Sequence, residues 1–277
     1  MADEIPGWLR LAFGVTGRVA PGLAARAAAE LLTRPRGRNP PQPWELAPGR
    51  WPARKIELPG GVHALAWGEE AGPVVLAQHG WRGRPTQFGR MAEALVPLGF
   101  RVVATDAPGH GHTRGPRATP RLVAESLVQA AAGLGGVHAV IGHSLGGAAA
   151  AIALEFGLRA RRLVLIGSPA RPSRMIADYA DQTGLPARAR AALDRWFEAH
   201  AGRPVERLDP LALPPVAGVA ALVVHDRHDE VIPVGEAELL EHAWPGATFL
   251  YTSGLGHREL LSDPGTVQAV VDFVVAG

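Results

Sequence analysis

Two hydrophobic periods alternate along most of this chain. Short apolar runs, several rich in Val, Ile and Leu, fall at residues 55–58, 62–67, 74–78, 101–105, 137–141, 163–166, 221–225 and 248–251, and each predicts a strand. Between the later runs, apolar positions recur at helical spacing over 87–98, 122–134, 145–156, 235–243 and 266–275. Two hairpin-like strands followed by strand–helix alternation imply an α/β fold: a mostly parallel sheet with helices on both faces. No internal repeat is visible.

Two segments break this rhythm. Near the start, Trp8, Leu11, Val15, Val19 and Leu23 lie at helical spacing with Arg10, Arg18 and Arg26 among them, and Pro21-Gly22 divides the stretch into two helices. The expected role of this apolar stripe is packing on the chain's own body. Peripheral contact with a membrane surface is the alternative for a basic amphipathic helix. Six prolines from Pro35 to Pro52 then mark an extended connector. The second break is the long stretch between the strands at 163–166 and 221–225. Residues 171–215 carry Met175, Ile176, Tyr179, Leu185, Leu193, Trp196 and Phe197, and a structureless loop of that length is uncommon. The expectation is a helical cap whose apolar face roofs the active site. The division is therefore 1–53 as an N-terminal appendage, 54–170 with 216–277 as the core, and 171–215 as the cap.

Composition narrows the picture. With 277 residues, 47% hydrophobic and 19% charged, the chain has enough mass for an ordinary core without disulfides. There is no cysteine, which removes thiol catalysis and cysteine-ligated zinc. The pI near 9.6 reflects a small excess of Arg over acidic residues; the formal net charge is only +2 and no basic run suggests nucleic-acid binding. The acidic start Met1-Ala2-Asp3-Glu4 lacks a secretory n-region, and the expected location is cytoplasmic. The uncharged stretch 126–154 contains six glycines and reads as a buried strand and helix rather than a transmembrane segment.

The candidate chemistry lies at strand ends. Gly142-His143-Ser144-Leu145-Gly146 follows an apolar run and opens a small-residue helix. A G-x-S-x-G in that context predicts a strained turn exposing Ser144, with helix N–H groups beside it. Asp226-Arg227-His228-Asp229 follows the next-to-last strand, and Gly254-Leu255-Gly256-His257 follows the last. The order Ser, Asp, His, with His79-Gly80-Trp81 after an earlier strand, resembles the α/β-hydrolase superfamily, in its capped serine-esterase-like branch, over about residues 54–275.

That resemblance implies Ser144 as nucleophile, His257 as general base and Asp229 as the acid orienting it, with Asp226 the rival acid. It implies Trp81 and Leu145 as backbone oxyanion donors, and it leaves the bulky Trp81 side chain at the mouth of the site. His143 is assigned to packing of the elbow. His110, His112, His225 and His228 invite a metal reading, but no third ligand stands at a telling spacing, and neither metal nor cofactor is expected. The implied activity is hydrolysis of a small carboxylic ester with an apolar acyl group. Thioester hydrolysis or acyl transfer by the same triad, and a non-catalytic ligand-binding role, are the alternatives.

Overall fold

The computed structural model describes residues 5–46, 49–213 and 217–276. The acidic start at residues 1–4 lies outside them, as does the expected cap–core boundary at 214–216. The strands are β1 (Arg54–Leu58), β2 (Val62–Trp67), β3 (Val74–Gln78), β4 (Arg101–Thr105), β5 (Ala139–His143), β6 (Arg162–Ile166), β7 (Ala220–Asp226) and β8 (Thr248–Thr252). They form one eight-stranded sheet in the order β1-β2-β4-β3-β5-β6-β7-β8. β1 and β2 are antiparallel neighbours, β2 runs antiparallel to β4, and all remaining pairs are parallel.

The helices are α1 (Gly7–Val19), α2 (Pro21–Thr33), the single turn α3 (Pro43–Leu46), α4 (Gly89–Leu95), α5 (Pro120–Ala132), α6 (Leu145–Glu155), α7 (Pro172–Thr183), α8 (Ala187–Ala201), α9 (Gly235–Ala243) and α10 (Pro264–Val275). Local chemistry sets several ends. Thr119 accepts from the Leu122 amide at 3.2 Å and Asp263 from that of Thr266 at 2.8 Å, each followed by proline at the first helical position. Gly184 and Gly202 close α7 and α8 at φ 69° and 68°.

Alternation along the strands sorts the core into two layers. Ala139 and Ile141 of β5, with Val164 and Ile166 of β6, face α4 and α10, where Met91, Leu95, Val270 and Val274 pack. Val140, Leu163 and Leu165 face the other way, towards α5, α6 and α9. β3 and β5 are buried along their whole length, as parallel strands covered on both faces must be. α6 lies against β5 because its residues from Gly146 to Ala153 are Gly, Ala and Ile alone, all buried.

β5 begins two residues later than the hydrophobic run predicts, so Gly142 and His143 are in the strand and Ser144 is its first residue beyond. The apolar run is set by burial, whereas the strand ends where pairing with β6 ends, at His143↔Ile166.

The N-terminal helices pack on the chain as expected, but through the opposite face. Phe13, Ala24, Ala25, Ala28 and Ala29 meet Tyr179, Ala180, Ala189, Leu193 and Phe197 of α7 and α8. A Cβ added to Gly17 would lie 2.5 Å from Pro186 Cδ, so the first helix rests directly on the turn between α7 and α8. The stripe picked out by periodicity, Trp8 to Leu23, is exposed. The expected roof over Ser144 is corrected by the same packing. Tyr179, Leu193 and Phe197 are buried in this four-helix cluster, Ile176, Leu185 and Trp196 are half-buried against it, and Met175 is exposed.

Candidate active site

Strand order reverses between β3 and β5: the chain leaves β3 for β4 on one side and returns to β5 on the other. Loops at the carboxyl ends of two such strands diverge and leave a crevice. The loop after β3 is His79-Gly80-Trp81, and the residue after β5 is Ser144.

Ser144 sits at φ 55°, ψ −127°, a conformation that L-residues seldom adopt, between β5 and the first turn of α6. Glycines make this turn possible. A Cβ on Gly142 would lie 2.4 Å from Gly146 O, and one on Gly146 would lie 2.3 Å from Gln78 O. Gly80 brings the β3 loop onto the serine itself, since its Cβ would fall 2.7 Å from Ser144 Cβ and 3.2 Å from Oγ. Two bonds brace the elbow. The Ser144 amide donates to Ile166 O at 2.9 Å, and the Ser168 hydroxyl donates to Ser144 O at 3.0 Å. Among the described residues, neither the Trp81 nor the Leu145 amide has a hydrogen-bond acceptor. Leu145 is the first residue of α6, where helix amides lack internal partners.

His257 and Asp229 meet at the far side of the crevice. The His257 Nδ1–H donates to Asp229 Oδ2 at 2.7 Å, while Asp229 Oδ1 accepts from the amides of Val231 and Ile232 at 2.8 and 2.9 Å. Burial alone would raise the Asp229 carboxyl. The bond and charge of His257 and the two amides outweigh it and hold the group below the ordinary carboxylate range. His143, adjacent to the serine, links the two halves. Its ring lies 4.7 Å from that of His257, and its Nε2–H donates to His257 O at 2.9 Å. Burial, then the neighbouring His257, lowers His143 to about 3, so it remains neutral. Among the described residues no hydrogen bond joins Ser144 Oγ to His257; bonds of this kind commonly tighten when substrate binds.

Asp226, the rival acid, makes a different set of bonds. It is buried, and its carboxylate accepts from Thr252 Oγ1 at 2.7 Å and from the amides of His228, Gly254 and Leu255. Burial opposes its ionisation, but these donors prevail and bring it to about 2. It thereby knots the loop after β7 to the loop carrying His257.

The other histidines are engaged in structure. His110 lies edge-on to His79 and to Trp81, at 5.0 and 5.8 Å, and its Nε2 accepts from the Arg82 amide at 3.0 Å. His225 Nε2–H donates to Ile232 O, and His228 Nδ1 lies 3.3 Å from Ser253 Oγ. Among the described residues no three His, Asp or Glu side chains gather as a metal set.

Some braces carry no local sequence signal. From the Pro-rich connector, Asn39 donates its Nδ2–H to Trp81 O at 3.2 Å and its amide to Arg82 O at 3.0 Å. Arg84 donates back to Asn39 O. Arg82 itself sits at φ 56°, so the connector holds a strained loop in place. Ser168 and Gly167 are a second case. Gly167, at φ 52°, leaves only 3.3 Å between its notional Cβ and both Asp229 Oδ2 and His257 Nδ1.

A family model described as the alpha/beta hydrolase fold matches residues 73–199. With the sheet order and the strand-end elbow, this decides the fold. The chain has the α/β-hydrolase fold. Solved structures agree across a spread of chemistries. A thioesterase domain from the curacin biosynthetic pathway is 16% identical, with a TM-score of 0.59 over 82% of this chain and 100% of that one. An esterase from Rhodococcus sp. ECU1013 is 21% identical, with a TM-score of 0.56 over 80% and 98%. The 2-hydroxy-6-oxo-6-phenylhexa-2,4-dienoate hydrolase of Rhodococcus sp. strain RHA1 is 20% identical, with a TM-score of 0.55 over 82% and 100%. No curated protein matches by sequence. Identities this low establish an α/β-hydrolase fold and leave the reaction to the site.

Proposed function

We propose that this α/β-hydrolase is a serine hydrolase of small carboxylic esters, acting through an acyl-enzyme. The observation that carries the reading is the 2.7 Å bond from His257 to a buried Asp229, with the His257 ring 4.7 Å from that of His143, the neighbour of a serine held at positive φ on the elbow. In this reading Asp229 fixes the Nδ1–H tautomer, which leaves Nε2 to take the Ser144 proton. Ser144 Oγ attacks the acyl carbon. The amides of Trp81 and Leu145, both without another acceptor among the described residues, hold the oxyanion, with the start of α6 adding its positive end. His257 returns its proton to the departing alkoxide; water, deprotonated by His257, then attacks the acyl carbon, and His257 passes that proton to Ser144 Oγ as the acid leaves. Residues 171–215 act as a cap and 1–53 as an appendage to it. A thioester would follow the same path, and the acyl preference is open to a panel of chain lengths.

An active-site-directed fluorophosphonate should label the wild-type protein, and Ser144→Ala should abolish labelling. Absence of labelling in a folded wild-type protein, with no hydrolysis across an ester and thioester panel, would establish the non-catalytic binding role instead.

A further inference from the structure

α1 is apolar on two opposite faces. One face rests on the cap helices through Phe13 and Gly17. The other carries Trp8, Leu11, Val15 and Val19 and continues onto α2 as Leu23, with exposures from 55% to 83%. A helix that is hydrophobic all round ordinarily has both faces covered. Nothing in the chain's described packing covers this second one, and five large exposed apolar side chains on two consecutive helices exceed the scattered exposure usual on a soluble surface.

Charge identifies the occupant. From Ile5 to Ala29 the only charged residues are Arg10, Arg18 and Arg26. All three are exposed, and Arg26 lies one turn beyond Leu23 on α2. Glu30, the next acid, is paired with Arg117. Within residues 5–29 every charge near this apolar stripe is an arginine, with Arg18 beside it on α1, and that matches the boundary between acyl chains and anionic headgroups. A second copy of the chain fits less well, because two-fold pairing of this face would set arginines against arginines. We infer that α1 and the start of α2 form an in-plane anchor for an anionic lipid surface. No helix of the described residues is long and apolar enough to cross a membrane, so the contact is peripheral. It would bring the cap within about one helix diameter, ~10 Å, of the headgroups, independently of the chemistry at Ser144.

Co-sedimentation of the full-length protein with vesicles tests this. Binding to phosphatidylcholine–phosphatidylserine vesicles should exceed binding to phosphatidylcholine alone and should weaken as salt rises. The triple variant Arg10→Gln, Arg18→Gln, Arg26→Gln should lower partitioning onto the anionic vesicles on the order of a hundredfold. Trp8→Ser with Val15→Ser and Val19→Ser should lower it about tenfold or more. Both variants should keep the wild-type melting temperature and fluorophosphonate labelling. Wild-type binding without preference for phosphatidylserine, or unchanged binding by the apolar variant, would overturn the proposal. So would a wild-type dimer that the apolar variant converts to monomer while neither binds vesicles, because the second copy would then be the occupant.

Discussion

At Ser144 a single residue departs from ordinary backbone geometry, and the surrounding small residues are what allow it. Gly142, Gly146 and Gly80 let three chain segments converge on one hydroxyl, and Ser168 and Ile166 fix the turn from the β6 side. Ser144→Ala and His257→Ala should each reduce kcat/KM on the order of a thousandfold or more. The double variant should be little slower than either, since the pair acts as a unit. Losses that multiply would separate their roles. The two aspartates should behave differently. Asp229→Asn should lower kcat severely with the fold retained, whereas Asp226→Asn should chiefly lower stability, because it removes the charge and turns one of the two oxygens that accept from Thr252 and the loop amides into a donor. Kinetics and thermal melting of both variants give the ranking. Gly167→Ala is a sharper probe of the His257–Asp229 pair. A methyl at φ 52° is strained and lands 3.3 Å from both members, so kcat should fall with a loss of about 1–2 kcal/mol of stability. Wild-type kcat in that variant would show that the pair tolerates displacement.

The elements divide the work unevenly. Sheet and helices place Ser144, Asp229 and His257, while an irregular connector places the loop that carries Trp81. Asn39 is bonded to that loop through both backbone and side chain, although it lies 42 residues away in sequence. Asn39→Ala should therefore lower kcat about tenfold to a hundredfold through misplacement of the loop, with a much smaller effect on melting. If the variant only melted earlier, the connector would be a structural strap. Helices α7 and α8 lead to the opposite expectation. Phe197 is buried against α1 and α2, so Phe197→Ala should cost about 3 kcal/mol while the acyl-chain profile stays as in wild type. A shifted profile would restore the roof.

For the whole molecule, buried neutral histidines set the pH range of stability. His79 lies beneath the crevice, lowered to about 3 by burial and by neighbouring His110, and His143 is lowered to a similar value. His79 donates from Nδ1 to Gly80 O at 2.7 Å and accepts from the Ala107 amide at Nε2, so protonation would break the second bond. In the unfolded chain both would titrate near 6.5. The folded state thus binds fewer protons between those values. The associated stability is complete above about 6.5 and declines as pH falls towards 3. Asp226, held at about 2 against 3.8, adds a decline of the same sign at lower pH. Denaturant midpoints should be level at neutral and mildly alkaline pH and fall steadily below about 6.5; a flat profile down to pH ~5 would refute this.

What the sequence determined by itself is what local periodicity and short motifs encode. All eight strands lie at the apolar runs that predict them, β5 displaced by two residues, because burial on one or both sheet faces repeats every second residue or every residue. The elbow around Ser144 is legible because only glycine fits at Gly142 and Gly146, and the loops holding Asp229 and His257 are legible because each directly follows a strand. Tertiary structure alone decided which partner each surface meets. Periodicity revealed the stripe from Trp8 to Leu23. It could not reveal that Phe13, Gly17 and the alanines of α2 form the packed face, because small residues pack closely without standing out as hydrophobic. It likewise could not show that α7 and α8 bury apolar side chains against the N-terminal helices, or that Asn39 and Ser168 are bonded to the loop at Trp81 and to the elbow. Those contacts join segments far apart in the chain, and their hydrogen bonds depend on how the sheet, helices and connector are assembled.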